Sequence, residues 1–103
     1  MSEKQIGPLD VEEIKVVRFE FVAELAPTAT LSSAAVAVTL TYGTDAAPAG
    51  LLVGSPLIQG TDVLQQVTGV GRTVGATYHL RARVVDDSGN THVVAADLPV
   101  KRL

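Results

Sequence analysis

The stretch from residue 76 to residue 85 alternates apolar and polar side chains with a strict two-residue period. Its apolar positions are Tyr78, Leu80, Ala82 and Val84. The positions between them are Thr77, His79, Arg81 and Arg83. Successive side chains of a β-strand point to opposite faces, whereas the apolar positions of an amphipathic helix recur every three or four residues. The segment is therefore predicted to be a half-buried strand with an apolar inner face.

Further segments of strand character surround this one. They span residues 14–25, 34–42, 51–60, 62–68 and 91–100. Connections rich in Gly, Pro, Ser and Asp separate them, notably 43–50, 69–75 and 87–90. Roughly six or seven short strands joined in this way predict an all-β fold, an antiparallel β-sandwich of the Ig-like or fibronectin-like type.

Three local patterns modify this prediction. The apolar parity changes once in the first segment, from Ile14 and Val16 to Val17 and the residues after it, which predicts a β-bulge or a strand that changes sheets. In the second segment, Tyr42 shares the parity of Val36, Val38 and Leu40 and is predicted to lie on the same face as these residues. Pro99 has no N–H donor, so the last strand should leave the ladder or lie at an edge near that residue.

A chain of 103 residues is long enough for one domain. Residues 1–10 are predicted to be a flexible N-terminal lead-in, and residues 11–103 a single β-sandwich domain. Because only 4% of the residues are aromatic and none is Trp, the core must consist mainly of Val, Leu, Ile and Ala.

The charge pattern argues against a nucleic-acid partner. The net charge is −3, and the eight Lys and Arg residues are scattered, whereas phosphate binding requires clustered cations. No signal peptide and no apolar run of membrane-spanning length occurs, so we expect a soluble protein without a membrane partner. The absence of cysteine is compatible with folding in a reducing cytoplasm.

None of the motifs indicates catalysis, a metal or a cofactor. The glycines from Gly69 to Gly75 do not have dinucleotide-loop spacing, and no helix pattern follows them. The run from Asp86 to Asn90 lacks the distant Glu of a calcium loop and is typical of a tight turn. His79 and His92 can approach each other across a hairpin, but two histidines alone make a poor zinc site. We therefore expect a protein that is not an enzyme.

One outward row is a candidate contact face for a partner protein. It consists of Thr77, His79, Arg81 and Arg83. Because Arg is enriched at protein interfaces, this face suits an acidic partner. The alternative is that the row pairs across strands with Arg18, Glu20 and Glu24, if the two segments are neighbours.

Several segments resemble a family of small bacteriophage virion proteins with an Ig-like sandwich, the fibre–tail adaptor proteins. The resemblance covers most of residues 17–100. It includes the segments 19–25, 34–40, 44–48, 58–61, 67–69, 75–82, 87–89 and 93–103. In this family a segment similar to Gly75-Ala76-Thr77-Tyr78-x-Leu80 precedes a hairpin tipped by residues such as Ser88-Gly89.

This resemblance implies a non-catalytic structural subunit, present in many copies in a virion and assembled in the cytoplasm of a host bacterium. Its partners would be other virion proteins of the tail, fibre, collar or capsid, contacted through loops such as 43–50 and 69–75. Two alternatives to an adaptor remain open, a capsid decoration protein and a carbohydrate- or receptor-binding module. Scarce aromatic residues disfavour the last, because sugars usually stack on Trp or Tyr.

Overall fold

The computed structural model describes the backbone of residues 2–5 and the whole of residues 8–23 and 25–103. The protein is all-β, with about 60% of its residues in strands. Within the described ranges the helical content is one 3₁₀ turn, Pro48–Leu51. No helix there is long and apolar enough to cross a membrane.

The strands follow the predicted segments closely from the second segment onward. In the described part of the chain they are β1 (Ser2–Gln5), β2 (Leu9–Asp10), β3 (Ile14–Glu20), β4 (Leu31–Tyr42), β5 (Leu52–Gln59), β6 (Asp62–Thr68), β7 (Thr77–Asp86) and β8 (Thr91–Lys101). They form two sheets. The first has the order β1-β8-β7-β4, and β2 also pairs with β8; the second has the order β3-β6-β5.

The beginning of the chain differs from the predicted lead-in at residues 1–10. Ser2–Gln5 and Leu9–Asp10 both pair with β8 in parallel, so the first sheet is mixed and its strands are not all antiparallel, contrary to the prediction. Leu9 is fully buried in the core. Burial of a leucine side chain contributes about 2 kcal/mol, which explains why this segment joins the domain. Residues 1, 6 and 7 of the predicted lead-in lie outside the described residues.

Both sheets contribute to one apolar core. The inner face of β7 is fully buried, as predicted from its alternation. Side chains of β3 and β6 from the second sheet, and of the neighbouring strand β8, pack in the same cluster; Phe19, Phe21 just after β3 and Leu98 are among its largest members. The core residues from the two sheets pack as one cluster, which fixes the outward faces on which any partner must act.

Where β3 is described, from Ile14 to Glu20, the first predicted segment has neither the bulge nor the change of sheet. β3 pairs with β6 without interruption from Ile14 to Glu20. Val17 and Phe19 are buried, whereas Ile14 and Val16 are 58% and 56% exposed on the outer face. The change of parity therefore marks a strand with apolar residues on both faces.

Pro99 does not lie at a sheet edge, because β8 has neighbours on both sides. The Val100 N–H donates to the Ala76 carbonyl on the β7 side, so the nitrogen of Pro99 faces the other way. On that side β1 ends opposite Asp97 and β2 begins opposite Val100. Pro99 thus lies between the residues of β8 that pair with the end of β1 and with the beginning of β2.

Tyr42 also differs from its predicted place. The register between β4 and β7 shifts between Leu40 and Tyr42, and such a shift turns the next side chain to the other face. Tyr42 is consequently 71% exposed instead of facing the core.

Candidate interaction surfaces

The predicted contact row lies on the outer face of β7. Arg81 and Arg83 are exposed, and His79 is half-buried. On the neighbouring strand β4, Arg81 is in register with Ala37 and Arg83 with Ala35. Because alanine side chains are short, the two arginines stand above their surroundings on this face.

The alternative role of this row, pairing with β3, is wrong. β3 belongs to the other sheet, where the Arg18 guanidinium binds the Asp62 carboxylate at 2.7 Å. Glu24 lies outside the described residues. The partner of His79 is instead Asp97 on β8, whose Oδ1 lies 2.8 Å from the histidine Nδ1. His79 is therefore held by its own sheet, and Arg81 and Arg83 remain the accessible part of the row.

The two histidines do not approach each other. His79 is in register with Asp97, whereas His92 is in register with Val84 near the hairpin. The Nε2 atom of His92 lies 2.9 Å from the Oδ2 atom of Asp86. Among the described residues no three acidic or histidine side chains come together as a metal site would require.

The carboxylate of Asp86 organises the turn at residues 86–90, the segment that was predicted to be a tight turn and not a calcium-binding loop. It lies near His92 and accepts hydrogen bonds from the amides of Ser88 and Asn90 at 2.9 Å each. The bond with His92, followed by the two amides, holds the pKa of Asp86 below its ordinary value despite burial. Gly89 has a φ of +86°, the left-handed conformation that this hairpin requires. The acidic group thus serves the turn itself.

The loops 43–50 and 69–75, through which the family resemblance implies contacts with partners, are joined at one end of the domain. The Nη1 atom of Arg72 donates to Asp45 at 2.9 Å and to the carbonyl of Ala47 at 2.5 Å. The Tyr78 hydroxyl donates to the same Asp45 oxygen. A Cβ added at Gly50 would lie 2.7 Å from the Arg72 guanidinium, which would have to shift to make room for it. These loops form one braced surface.

Sequence reasoning did not identify Asp45 and Arg72 as partners, because their contact spans two loops without regular structure. The hydrogen bond from Tyr78, followed by the amide of Ala47, holds the pKa of Asp45 below its ordinary value. Burial and the bond to Asp45 raise the pKa of Tyr78 to about 12. The Arg72 side chain is only 14% exposed, so this cluster braces the loop end from within.

A third surface, the outer face of the second sheet, carries exposed apolar residues. Ile14 and Val16 of β3 lie there, and Val53 and Leu57 of β5 are 36% and 61% exposed. A shallow pocket of about 370 Å³ lies between the strands, lined by Val16, Val53, Gly54, Ser55, Leu57, Leu64 and Gln66. The parity change at Val16 was the sequence signal of this apolar face.

The structure therefore has three candidate surfaces. They are the arginine row on the first sheet, the end of the domain formed by the loops 43–50 and 69–75, and the apolar face of the second sheet. Of these, the row and the loops were predicted, and the apolar face was not. Neither the known protein families nor the curated proteins contain a match to this chain.

Proposed function

We propose that the chain is a non-enzymatic structural subunit of a bacteriophage virion, a fibre–tail adaptor or a similar connector at the tail or collar. The observation that carries this proposal is the apolar outer face around Val16 and Leu57, which are 56% and 61% exposed. Exposed apolar clusters of this kind mark surfaces that other macromolecules cover. The neighbouring proteins of the particle are the occupants that we assign to it.

An Ig-like sandwich is the fold that suits this role, and the strand order supports it. In the Ig constant-type arrangement one sheet holds strands C, F and G and the other holds B, E and D. The orders β4-β7-β8 and β3-β6-β5 match these two sets. Tyr78, near the beginning of β7, stands where Ig-like domains have the tyrosine whose hydroxyl fastens a corner. This agreement is also what the family resemblance implies.

The hydrogen bonds made by three acidic side chains support a structural role. Asp86 is bound by His92 and two amides, Asp97 by His79, and Asp45 by Tyr78 and Arg72. Catalytic acids and bases need to reach a substrate in a cleft, whereas these groups bind their own neighbours. Their bonds instead hold the turns and loops of a rigid connector.

The proposal is tested on particles of the phage whose genome encodes the chain, by quantitative mass spectrometry of purified virions. We expect the protein in many copies per particle and in the tail fraction after heads and tails are separated. Recovery in the capsid fraction would identify a decoration protein instead. Absence from washed particles would overturn a virion role, and specific hits on a glycan array would then favour a carbohydrate- or receptor-binding module.

A pair of variants tests whether the apolar face makes the contact. The double substitution V16K/L57K places charges on that face, whereas Thr91→Lys adds one at an exposed position on the other sheet. We expect the first variant to fold but to be lost from particles, and the second to be incorporated normally. Equal incorporation of both would remove the apolar face from the assembly.

A further inference from the structure

The edge strand β4 differs from the other sheet edges of the described structure. It is 12 residues long and contains no charged residue, proline or glycine. Its neighbour on one side is β7, and within the described ranges no strand pairs with its other side. Such an edge presents unpaired N–H and C=O groups, and soluble proteins usually protect it.

The other edges carry this protection. β3 contains Lys15, Arg18 and Glu20, and β5 contains Pro56 and a register shift between Val53 and Leu57. The β1/β2 edge carries charged residues in both of its short strands. β4 is thus the unprotected edge, and its register shifts lie near its ends, leaving 33–40 regular.

The side chains of this strand give a second, independent observation. Val36, Val38 and Leu40 face the core but are only partly buried, because the sheet ends beside them. An additional strand at this edge would bind the free backbone groups and cover these apolar side chains together. A strand that fits this edge would itself be uncharged and apolar on its inner face.

We propose that this neighbour is the β4 strand of a second copy of the chain, paired antiparallel about a two-fold axis. Self-pairing brings no like charges together, since the strand has none. Isologous contacts of this kind are the usual way in which identical subunits form dimers. This inference concerns the isolated protein and does not depend on the proposed virion role.

The register of the pair follows from the backbone. Ala35, Ala37 and Thr39 are in register with Arg83, Arg81 and His79. Thr41 Oγ1 donates to the Thr77 carbonyl, so the odd-numbered residues of β7 present their backbone groups to β4. The odd-numbered residues of β4 face β7 in turn, and the free groups belong to Ala34, Val36, Val38 and Leu40.

One register uses all four of these residues from both copies. It pairs Ala34 with Leu40 and Val36 with Val38, and it places Ala37 directly opposite the partner's Ala37. That position is a non-hydrogen-bonded pair, in which the Cα atoms approach to about 4.5 Å. Exposed alanines permit this approach without a steric clash.

The chain contains no cysteine, so a single introduced cysteine reports this geometry. We expect Ala37→Cys to form a disulfide-linked dimer under mild oxidation, because its Cα spacing suits a disulfide. Ala35→Cys is the matched control on the same strand and face. In this register the two copies of residue 35 lie about 14 Å apart, and no disulfide forms.

Sedimentation of the untagged protein supplies the reversible measurement. We expect a concentration-dependent dimer, with Ala37→Lys raising the Kd about tenfold by placing two lysines opposite each other. Mixing A37K with A37E is expected to restore dimers. A wild-type protein that stays monomeric up to about 1 mM would overturn the inference. Equal crosslinking at residues 35 and 37 would overturn it as well.

Discussion

The Tyr78 hydroxyl donates a hydrogen bond of 2.5 Å to Asp45 and so joins the beginning of β7 to the loop that follows β4. Arg72 binds the same carboxylate from the loop before β7. One acidic side chain therefore holds together two connections that lie far apart in the sequence.

Removing the hydroxyl tests how much this contact contributes. We expect Tyr78→Phe to lower the free energy of unfolding by about 2 kcal/mol, because a buried hydrogen bond to a charged group is lost. Urea denaturation followed by circular dichroism measures the change. Tyr42→Phe is the matched control, since Tyr42 is 71% exposed and should change stability by less than about 0.5 kcal/mol. Equal effects of the two substitutions would contradict the role of the contact.

The raised pKa of Tyr78 predicts a loss of stability in alkaline solution. Its pKa is about 12 in the folded protein, against an ordinary value of 10.0. The protonated hydroxyl therefore contributes its full stability below pH 10, and this contribution is lost as the pH rises from 10.0 towards 12. In the Tyr42→Phe protein, ultraviolet absorbance of tyrosinate reports Tyr78 alone. A midpoint at the ordinary value while the protein remains folded would contradict the prediction.

The hairpin carboxylate predicts sensitivity to acid. His92 and two amides hold the pKa of Asp86 below 3.8, so its stabilising effect is present above that value and is lost as the pH falls through the lowered pKa. We expect Asp86→Asn to reduce stability at neutral pH and to weaken the decline between neutral pH and acid. Urea midpoints measured across this range test both effects, with Asp87→Asn as the neighbouring control. A decline as steep as that of the wild type would contradict the prediction.

Gly69 is expected to tolerate no side chain. A Cβ there would lie 2.0 Å from the Asp10 carbonyl oxygen, which is backbone and cannot rotate away. We expect Gly69→Ala to cost about 3 kcal/mol or to displace β2 from β8. Gly71, with a φ of +78° and open space around its Cα, provides the control, because Asn tolerates that conformation. If Gly71→Asn destabilised the protein more than Gly69→Ala, the close approach would not be limiting.

Neighbouring valines on β3 test which face of the strand is buried. Val17 is 5% exposed and Val16 is 56% exposed. We expect Val17→Thr to lower stability by about 2 kcal/mol because it buries a hydroxyl, and Val16→Thr to have almost no effect. Thermal unfolding of the two variants is the measurement. A larger loss for Val16→Thr would reverse the assignment of the faces.

Much of the fold follows from local alternation, and the exceptions have physical causes. The inner face of β7 and the tight turn at residues 86–90 were predicted correctly because each depends on adjacent residues alone. The pairing of β1 with β8 was missed, since its short polar segment carries no periodic signal and its partner lies at the other end of the chain.

The surfaces divide in the same way. The arginine row could be identified because it is the polar half of a regular strand. The Asp45–Arg72 pair joins two loops that are distant in the sequence. The free edge of β4 depends on the order of the strands in the sheet. Both features can therefore be recognised only in the three-dimensional structure. The exposed apolar face of β3 was present in the sequence as a change of apolar parity after Val16. That change was interpreted as a β-bulge or a change of sheet, so the face was not predicted.

The parallel pairing of β1 and β2 with β8 has a mechanical consequence. Ser2 begins opposite Val94, and β8 continues past this point to Lys101 beside Asp10. Tension applied between the beginning of β1 and the end of β8 therefore pulls the strands lengthwise past each other. Their hydrogen bonds then share the load and must break together, whereas a hairpin pulled open at its ends loses them one at a time. The pairing of β1 and β2 with β8 is therefore expected to resist a force that pulls these strands lengthwise.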